Sequence, residues 1–484
     1  MDVFDLSSQE EFSPMKPLTK RPRKCFNQAS DTLNQSSDKQ SSGTLTVETS
    51  SSCDVKSDKP EVNLTERVDD IKRTSVSTED ANFVTDKTNI QGTNGAEVNS
   101  GDNCDRDCRK PVYIYDQELV RRCDAMPKII NRASMVHSLI EAYGLISLMQ
   151  VVPPRRASDE EMMGFHAKDY IDFLALLSRQ TDEEKFDEES DQYGLTYDCP
   201  INHHVYAYAA LTSGASLRAA ECLLEGRSRV AINWCGGWHH AKRDTASGFC
   251  YVNDIVLSIL KLREKYDRVL YVDLDVHHGD GVEDAFCASS KVMTVSVHKH
   301  SPGFFPGSGG LNDGGVGKGR GHTVNIPLQD GMRDKEFVPL VCRVLRKVQE
   351  VFRPQAVVCQ CGADGLSGDP MDSFNLTHTA YSCCVQFILQ WTLPTLILGG
   401  GGYHSANTAR CWTYLTAVIC GRKPPTDIPD HKFFMAYGPD YELPISPGNR
   451  RNTNSRENLQ RIYSSIIGTY RHNKTTFKKL LTLT

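Results

Sequence analysis

The chain has 484 residues, 39% of them hydrophobic, and a formal net charge of −6 at pH 7. That length suits one large domain or two or three ordinary ones, and the acidic balance excludes a global basic field for nucleic acid. The first ten residues lack the apolar centre of a signal peptide, no apolar run approaches the ~20 residues of a membrane span, and the 17 cysteines follow no framework spacing, so a reducing compartment is expected.

Residues 1–110 are rich in Ser, Thr, Asp, Asn, Lys and Gln. They cannot bury enough apolar surface to offset their ordering entropy and are expected to form a disordered extension. Inside them, Lys20-Arg-Pro-Arg-Lys24 reads as a nuclear import signal, against the plainer reading of a solvated charge run. Ordered sequence is expected from 111 to about 473, with 474–484 a short tail.

A strand-like run at 111–115 opens the ordered part, and helical periodicity follows at 134–149 and 209–224. The acidic segment 180–191 reads as a solvated surface loop, or as a negative rim for Lys-rich peptides. Strand-like runs at 230–234, 269–276, 292–297, 356–361 and 395–398 alternate with helical stretches such as 254–265 and 336–351. That alternation predicts an α/β fold with a parallel sheet covered on both faces. Leu459, Ile462, Tyr463, Ile466, Ile467 and Tyr470 mark one face of a C-terminal docking helix.

Chemistry gathers where the strand-like runs end. Asp273, Asp275 and His277 follow one run at two-residue spacing, so their side chains lean the same way. Other runs end in Cys235-Gly-Gly-Trp-His-His240, in Gly362-Ala-Asp-Gly365 and in Gly399-Gly-Gly-Gly-Tyr403. Open α/β sheets bind ligands beyond the carboxyl ends of their strands, so these ends should meet at one site. Asp275, His277 and Asp364 supply two carboxylates to neutralise a dication and one imidazole, and three ligands leave a position for water. Zinc fits such a set, and ferrous iron fits it too. His239 and His240 suit proton transfer near neutral pH, with Asp273 and Asp280 to orient them. The four glycines lack a P-loop spacing and read instead as a tight turn delivering Tyr403, whose hydroxyl can stabilise an oxyanion. Phe249, Phe304 and Phe305 stand near these motifs, and two facing rings would make a slot for an aliphatic chain, although core packing is the commoner role.

The stretches Arg132-Ala-Ser-Met-Val-His137, Tyr193-Gly-Leu-Thr-Tyr-Asp-Cys-Pro200, Gly236-Gly-Trp-His-His-Ala-Lys242, Ala246-Ser-Gly-Phe-Cys-Tyr251, Val272-Asp-Leu-Asp-Val-His-His-Gly-Asp280, Ser301-Pro-Gly-Phe-Phe-Pro-Gly307 and the Gly399 turn together resemble the class I zinc-dependent histone deacetylases. The resemblance covers residues 111 to about 470. It implies a single arginase/deacetylase-like α/β domain with an eight-stranded, mostly parallel sheet and helices on both faces. It implies zinc on Asp275, His277 and Asp364, and a structural potassium ion near Asp273, Asp275, His277, Ser296 and Val297. It implies His240 as general base and then acid, supported by Asp280, and His239 as an electrostatic partner, supported by Asp273. Tyr403 would bind the acetyl carbonyl. Phe249 and Phe305 would wall a lysine tunnel with Gly248 and Met371 along it, Asp198 would hold the substrate backbone at the rim, and Arg132 would sit by an inner channel for acetate.

The activity implied is removal of acetyl groups from ε-N-acetyl-lysine in histones and other proteins, hence chromatin regulation and transcriptional repression in the nucleus, with the cytoplasm as a second location. Acetylated histone tails and other acetyl-lysine proteins are the expected partners; direct nucleic-acid or membrane binding is not expected. His322 stands where the family often has Tyr at a second monovalent site, and Pro370 follows Asp369 where corepressor-bound members carry Arg, so membership of such complexes is not supported. Two other readings compete: an amidohydrolase for acetylated polyamines or other small molecules, and a non-catalytic acyl-lysine-binding scaffold. The scaffold expects lost metal ligands or a lost Tyr, and this chain retains both. An arginase-type pair of manganese ions needs further Asp ligands that these motifs do not supply.

Overall fold

The computed structural model describes residues 110–179, 187–196, 198–201 and 203–481, the side chains of 187, 188 and 471–481 excepted. The extension expected up to residue 110, with its basic cluster, lies outside the described residues apart from Lys110, as does 180–186 of the acidic segment.

Strands β1 (Val112–Ile114), β2 (Gln150–Val152), β3 (Val230–Asn233), β4 (Val269–Asp273), β5 (Val292–Lys299), β6 (Thr323–Leu328), β7 (Ala356–Gln360) and β8 (Thr395–Leu398) form one sheet. Their order is β2-β1-β3-β8-β7-β4-β5-β6, and every pairing is parallel. The sheet is therefore parallel throughout. The helices that cover it include α1 (Gln117–Asp124), α2 (Arg132–Ala142), α3 (Val205–Leu224), α4 (Asp254–Leu262) and α5 (Asp280–Phe286). Later in the chain come α6 (Asp334–Phe352), α7 (His378–Leu389), α8 (Ser405–Ile419) and α9 (Arg456–Leu481).

The sheet divides the core in two, and the period-2 geometry of a strand decides which side each residue joins. Leu270 and Val272 of β4, Val357 and Cys359 of β7 and Ile397 of β8 pack with α2, α6, α7, α8 and α9. Their neighbours Val269, Tyr271, Ala356, Val358, Leu396 and Leu398 pack with α1, α3, α4 and α5. Strands buried on both faces read as continuous apolar runs, which is why these segments stand out in the sequence.

Several boundaries differ from the sequence reading, each for a local reason. The periodicity expected as one helix over 134–149 breaks into α2, a 3-10 turn at Leu145–Leu148 and the edge strand β2. Gly144, at φ 68, sits in the left-handed region that ends a helix. The edge strands β2 and β6 carry a weaker signal: β2 has three residues with one buried, and Thr323, Asn325 and Pro327 interrupt the apolar residues of β6. The tail expected at 474–484 continues α9 to Leu481, and the end of the acidic segment forms a short helix at Asp187–Gln192 rather than a loop. Ile462, Ile466, Ile467 and Tyr470 are buried on one face of α9, as the pattern predicts. Among the described residues, no helix is long and apolar enough to cross a membrane.

Candidate metal and catalytic site

The strands β3, β8, β7 and β4 are adjacent in the sheet, and their carboxyl ends carry the four reactive segments. The sheet order thus brings together residues more than a hundred positions apart. β4 ends at Asp273, so Asp275 and His277 lie in the loop beyond it rather than on a strand extending to 276. The alternation outlasts the ladder nonetheless. Leu274 donates to the Gln360 carbonyl at 3.0 Å, and Leu274 and Val276 stay in the α2/α6 half of the core. That leaves Asp273, Asp275 and His277 directed to the other side.

Asp275, His277 and Asp364 are all buried, with donor atoms within 4.8 Å of one another. His277 Nδ1 lies 3.1 Å from Asp275 Oδ1 and 2.9 Å from Asp364 Oδ2. The remaining oxygens are held from behind. Asp275 Oδ2 accepts from Gly401 N and from Gln360 Nε2, each at 2.9 Å, and Asp364 Oδ1 accepts from Val276 N at 2.9 Å. Two buried carboxylates repel and cost solvation energy unless a cation sits between them. Burial first, then Asp275, pushes Asp364 up to about 7. Burial opposes protonation of His277, but Asp275 and Asp364 outweigh it and raise it to about 10. Positive charge is thus drawn to the point the three donors share, and this donor set fits a divalent ion with a position left open. Methyl groups on Gly362 or Gly401 would overlap the Asp275 and Asp364 oxygens, so both glycines are required by close approach.

The surroundings push the tandem histidines in opposite directions. His239 Nδ1 lies 2.7 Å from Asp273 Oδ2, which also accepts from the Tyr271 hydroxyl at 2.6 Å. Burial disfavours its charge, but Asp273 and Asp275 prevail and raise it to about 9. His240 Nδ1 lies 2.7 Å from Asp280 Oδ1, and Lys242 pairs with the other Asp280 oxygen at 3.1 Å. Burial, and then the charge on His239, lowers His240 to about 3. Asp280 is held well below the carboxylate range: burial opposes this, and His240 and Lys242 outweigh it. A neutral His240 donating Nδ1–H to a carboxylate leaves Nε2 as a lone-pair acceptor.

Tyr403 follows the Gly399 turn and packs against the α1/α3/α4 half of the core. Asp369 Oδ2 accepts from Tyr403 N at 2.7 Å and His404 N at 3.1 Å, while Oδ1 accepts from Met371 N at 2.9 Å. Burial, then Asp364 and Asp275, keep the Tyr403 phenol well above its ordinary value, so it remains a donor. Arg132 is buried, donates to the Gly400 and Gly402 carbonyls at 2.9 Å, and stacks 4.9 Å over Trp412. Arg132 lines a cavity with a volume of about 10 Å³, room for roughly one water.

Phe249 and Phe305 each meet another ring of the site. Phe305, 41% exposed, stands edge-on to His240 at 4.9 Å, and Phe249 edge-on to Tyr403 at 5.6 Å. Gly248 lies between His240 and Phe305, where a side chain would collide with both. Asp198 Oδ2 accepts from Gly248 N at 2.8 Å and shares a pocket with Phe249 and Tyr403. Phe304 stacks on His277 at 5.2 Å and 3°. Pairing of β4 with β5 sets Asp273 beside Ser296. His322 Nδ1 is buried without a hydrogen-bond partner among the described residues.

Three supporting residues escaped the sequence reading. Gln360, fully buried, bridges Asp275, the Gly237 carbonyl at 3.3 Å and Gly362 N at 2.8 Å. Asp254 accepts from Gly237 N and Trp238 N and so fixes the turn before the histidines. Asp369 anchors Tyr403. Gln360 was the detectable one, since a polar residue inside the apolar run 356–361 requires a partner.

Residues 126–419 match the histone deacetylase domain family. Histone deacetylase 8 of Xenopus tropicalis is 58% identical over 359 residues, covering 74% of this chain and 97% of the relative. Histone deacetylase 8 of Danio rerio is 56% identical over 360 residues, 74% of this chain and 95% of the relative. Histone deacetylase 1 of Homo sapiens is 43% identical over 361 residues, 74% of each chain.

Proposed function

The chain belongs to the histone deacetylase family, and from that premise we propose that it hydrolyses the amide of ε-N-acetyl-lysine in histones and other proteins, with zinc on Asp275, His277 and Asp364. The observation that carries this reading is the meeting of that donor set with the His240–Asp280 pair and Tyr403 beyond four adjacent strands.

When bound, a divalent ion supplies Lewis acidity to the amide carbonyl and to water. His240 Nε2, kept unprotonated, takes a proton from the attacking water, and Asp280 holds the ring in the required tautomer. Once charged, His240 is a strong acid and returns the proton to the departing lysine amine. His239, tied to Asp273, contributes positive charge beside the developing oxyanion, and the Tyr403 hydroxyl donates to it. Phe249, Phe305, Gly248 and Met371 line the path of the lysine methylenes, and Asp198 receives backbone N–H groups of the peptide at the mouth. Asp273, Ser296 and Val297 would hold a monovalent cation, whose charge would stiffen the β4 end. The basic cluster at 20–24 adds nuclear import to this reading.

The test is deacetylation of acetyl-lysine peptides after metal stripping, with zinc or ferrous iron added back and N-acetylputrescine run in parallel. Activity restored on the peptide and absent on the polyamine is expected. The reverse preference would transfer the site to small-molecule amides, and undiminished activity in the stripped protein would remove the metal.

A further inference from the structure

Residues 301–309, the loop after β5, carry Phe304 and Phe305. Among the described residues, Phe304 N to the Ser301 carbonyl, at 3.1 Å, is the one backbone–backbone hydrogen bond made between 302 and 308. A loop so poor in internal bonds keeps a fixed shape only through its anchors. Its rings are nonetheless closely placed. Lys299 Nζ lies 4.4 Å from the centre of the Phe304 ring, which stacks on His277, and Phe305 stands against His240 and Gly248.

The far end of the loop is tied to a buried polar cluster. His278 Nδ1 lies 2.9 Å from Ser308 Oγ, and its Nε2 lies 2.8 Å from Glu283 Oε2. Asn325 Nδ2, on β6, donates to the same Glu283 oxygen at 2.9 Å and to the Asp313 carbonyl at 3.3 Å. A carbonyl only accepts, so His298 Nε2 donates to the Gly309 carbonyl, at 2.9 Å, while its Nδ1 meets Ser296 Oγ at 2.9 Å. Both imidazoles are buried, with their centres 4.7 Å apart. Gly309 packs so closely on them that a methyl group there would overlap both. None of these groups has a part in the proton transfers above.

We propose that His278 is a positioning residue for the acyl-lysine tunnel: through Ser308 it fixes the loop that bears Phe304 and Phe305, and through Glu283 it ties that loop to α5. This rests on the deacetylase reading. Asp280 opens α5 and orients His240, and Glu283 lies one turn further along the same helix. The tunnel wall and the proton acceptor therefore share one frame, with His278 as the link. Without the link, Phe305 is free to move off His240 and Gly248. The wall then loses hold on the lysine methylenes equally in the ground and transition states, which raises KM and spares kcat.

The experiment compares the metal-loaded full chain with its Ser308→Ala variant, a small change at an exposed residue. Hydrogen exchange across 301–310 should quicken and KM for an acetyl-lysine peptide should rise several-fold, with kcat and melting temperature close to the unmutated values. Ser308→Thr, which keeps the hydroxyl, should restore both. In a folded His278→Gln background, Ser308→Ala should raise KM no further, because the two side chains act as one contact. Unaltered exchange and KM in Ser308→Ala, no restoration by Ser308→Thr, a lower melting temperature with KM unchanged, or a full additional rise in the His278→Gln background would each overturn the proposal. If the unmutated protein leaves acetyl-lysine peptides intact, the functional reading fails, and exchange across 301–310 still decides whether His278 holds the loop.

Discussion

Replacing Gln360 by Met removes all polar function from a fully buried side chain while nearly conserving its volume. Three contacts vanish: the donor to Asp275 Oδ2, the donor to the Gly237 carbonyl and the acceptor for Gly362 N. Asp275 Oδ2 keeps Gly401 N alone. Loss of a hydrogen-bonding support behind a metal ligand typically costs 10–100-fold in affinity, about 1.4–2.7 kcal/mol. Leaving the Gly362 N–H buried and unpaired costs about 1–3 kcal/mol of folding stability in addition. The two effects separate experimentally. Chelator competition on folded protein reads the metal affinity, thermal melting reads the stability, and turnover at saturating metal reads catalysis. The expected result is weaker metal binding with kcat largely recovered at high metal. Unchanged metal affinity alongside a lower melting temperature would refute the assignment and make Gln360 a packing residue only.

Other outcomes follow from the same geometry. Tyr403→Phe should lower kcat by roughly 10²-fold or more, as loss of an oxyanion donor does, with the melting temperature unchanged; an unaltered kcat would remove Tyr403 from catalysis. Gly401→Ala should abolish metal uptake, because its methyl would overlap Asp364; equilibrium dialysis of the folded variant is the check. His239 and His277, raised to about 9 and about 10 in the metal-free protein, bind more protons folded than unfolded. Their stabilisation is complete below about pH 6.5 and lost as pH rises through 9 to 10. Melting of the stripped protein should fall over that window more steeply than that of the loaded protein. Parallel profiles would show that no ion displaces those protons.

The sequence made the site more legible than the sheet around it. Asp275, His277 and Asp364 were readable because charged groups at the ends of apolar runs are costly, and cost implies use. His240 lies against Asp280 and His239 against Asp273, pairs that the family resemblance implies and that residue spacing leaves unassigned. The central strands were equally visible, being apolar on both faces. β2 and β6 were not, because β2 buries one residue of three and Thr323, Asn325 and Pro327 break the apolar run of β6. Nor could spacing alone reveal Asp254 and Asp369. Each is an acidic residue near a turn, and its value lies in backbone N–H groups that only the folded chain brings within reach.

The strand order has a consequence for how the protein comes into being. With β1 to β6 already synthesised, the chain owns two separate three-stranded ribbons, β2-β1-β3 and β4-β5-β6, with no strand-to-strand bond between them. The last strands to be made, β7 and β8, slide into the gap, and they bring Asp364 and Tyr403 with them. A nascent or clipped chain that stops before β7 therefore offers Asp275 and His277 without Asp364. Completing the donor set and closing the sheet are one event.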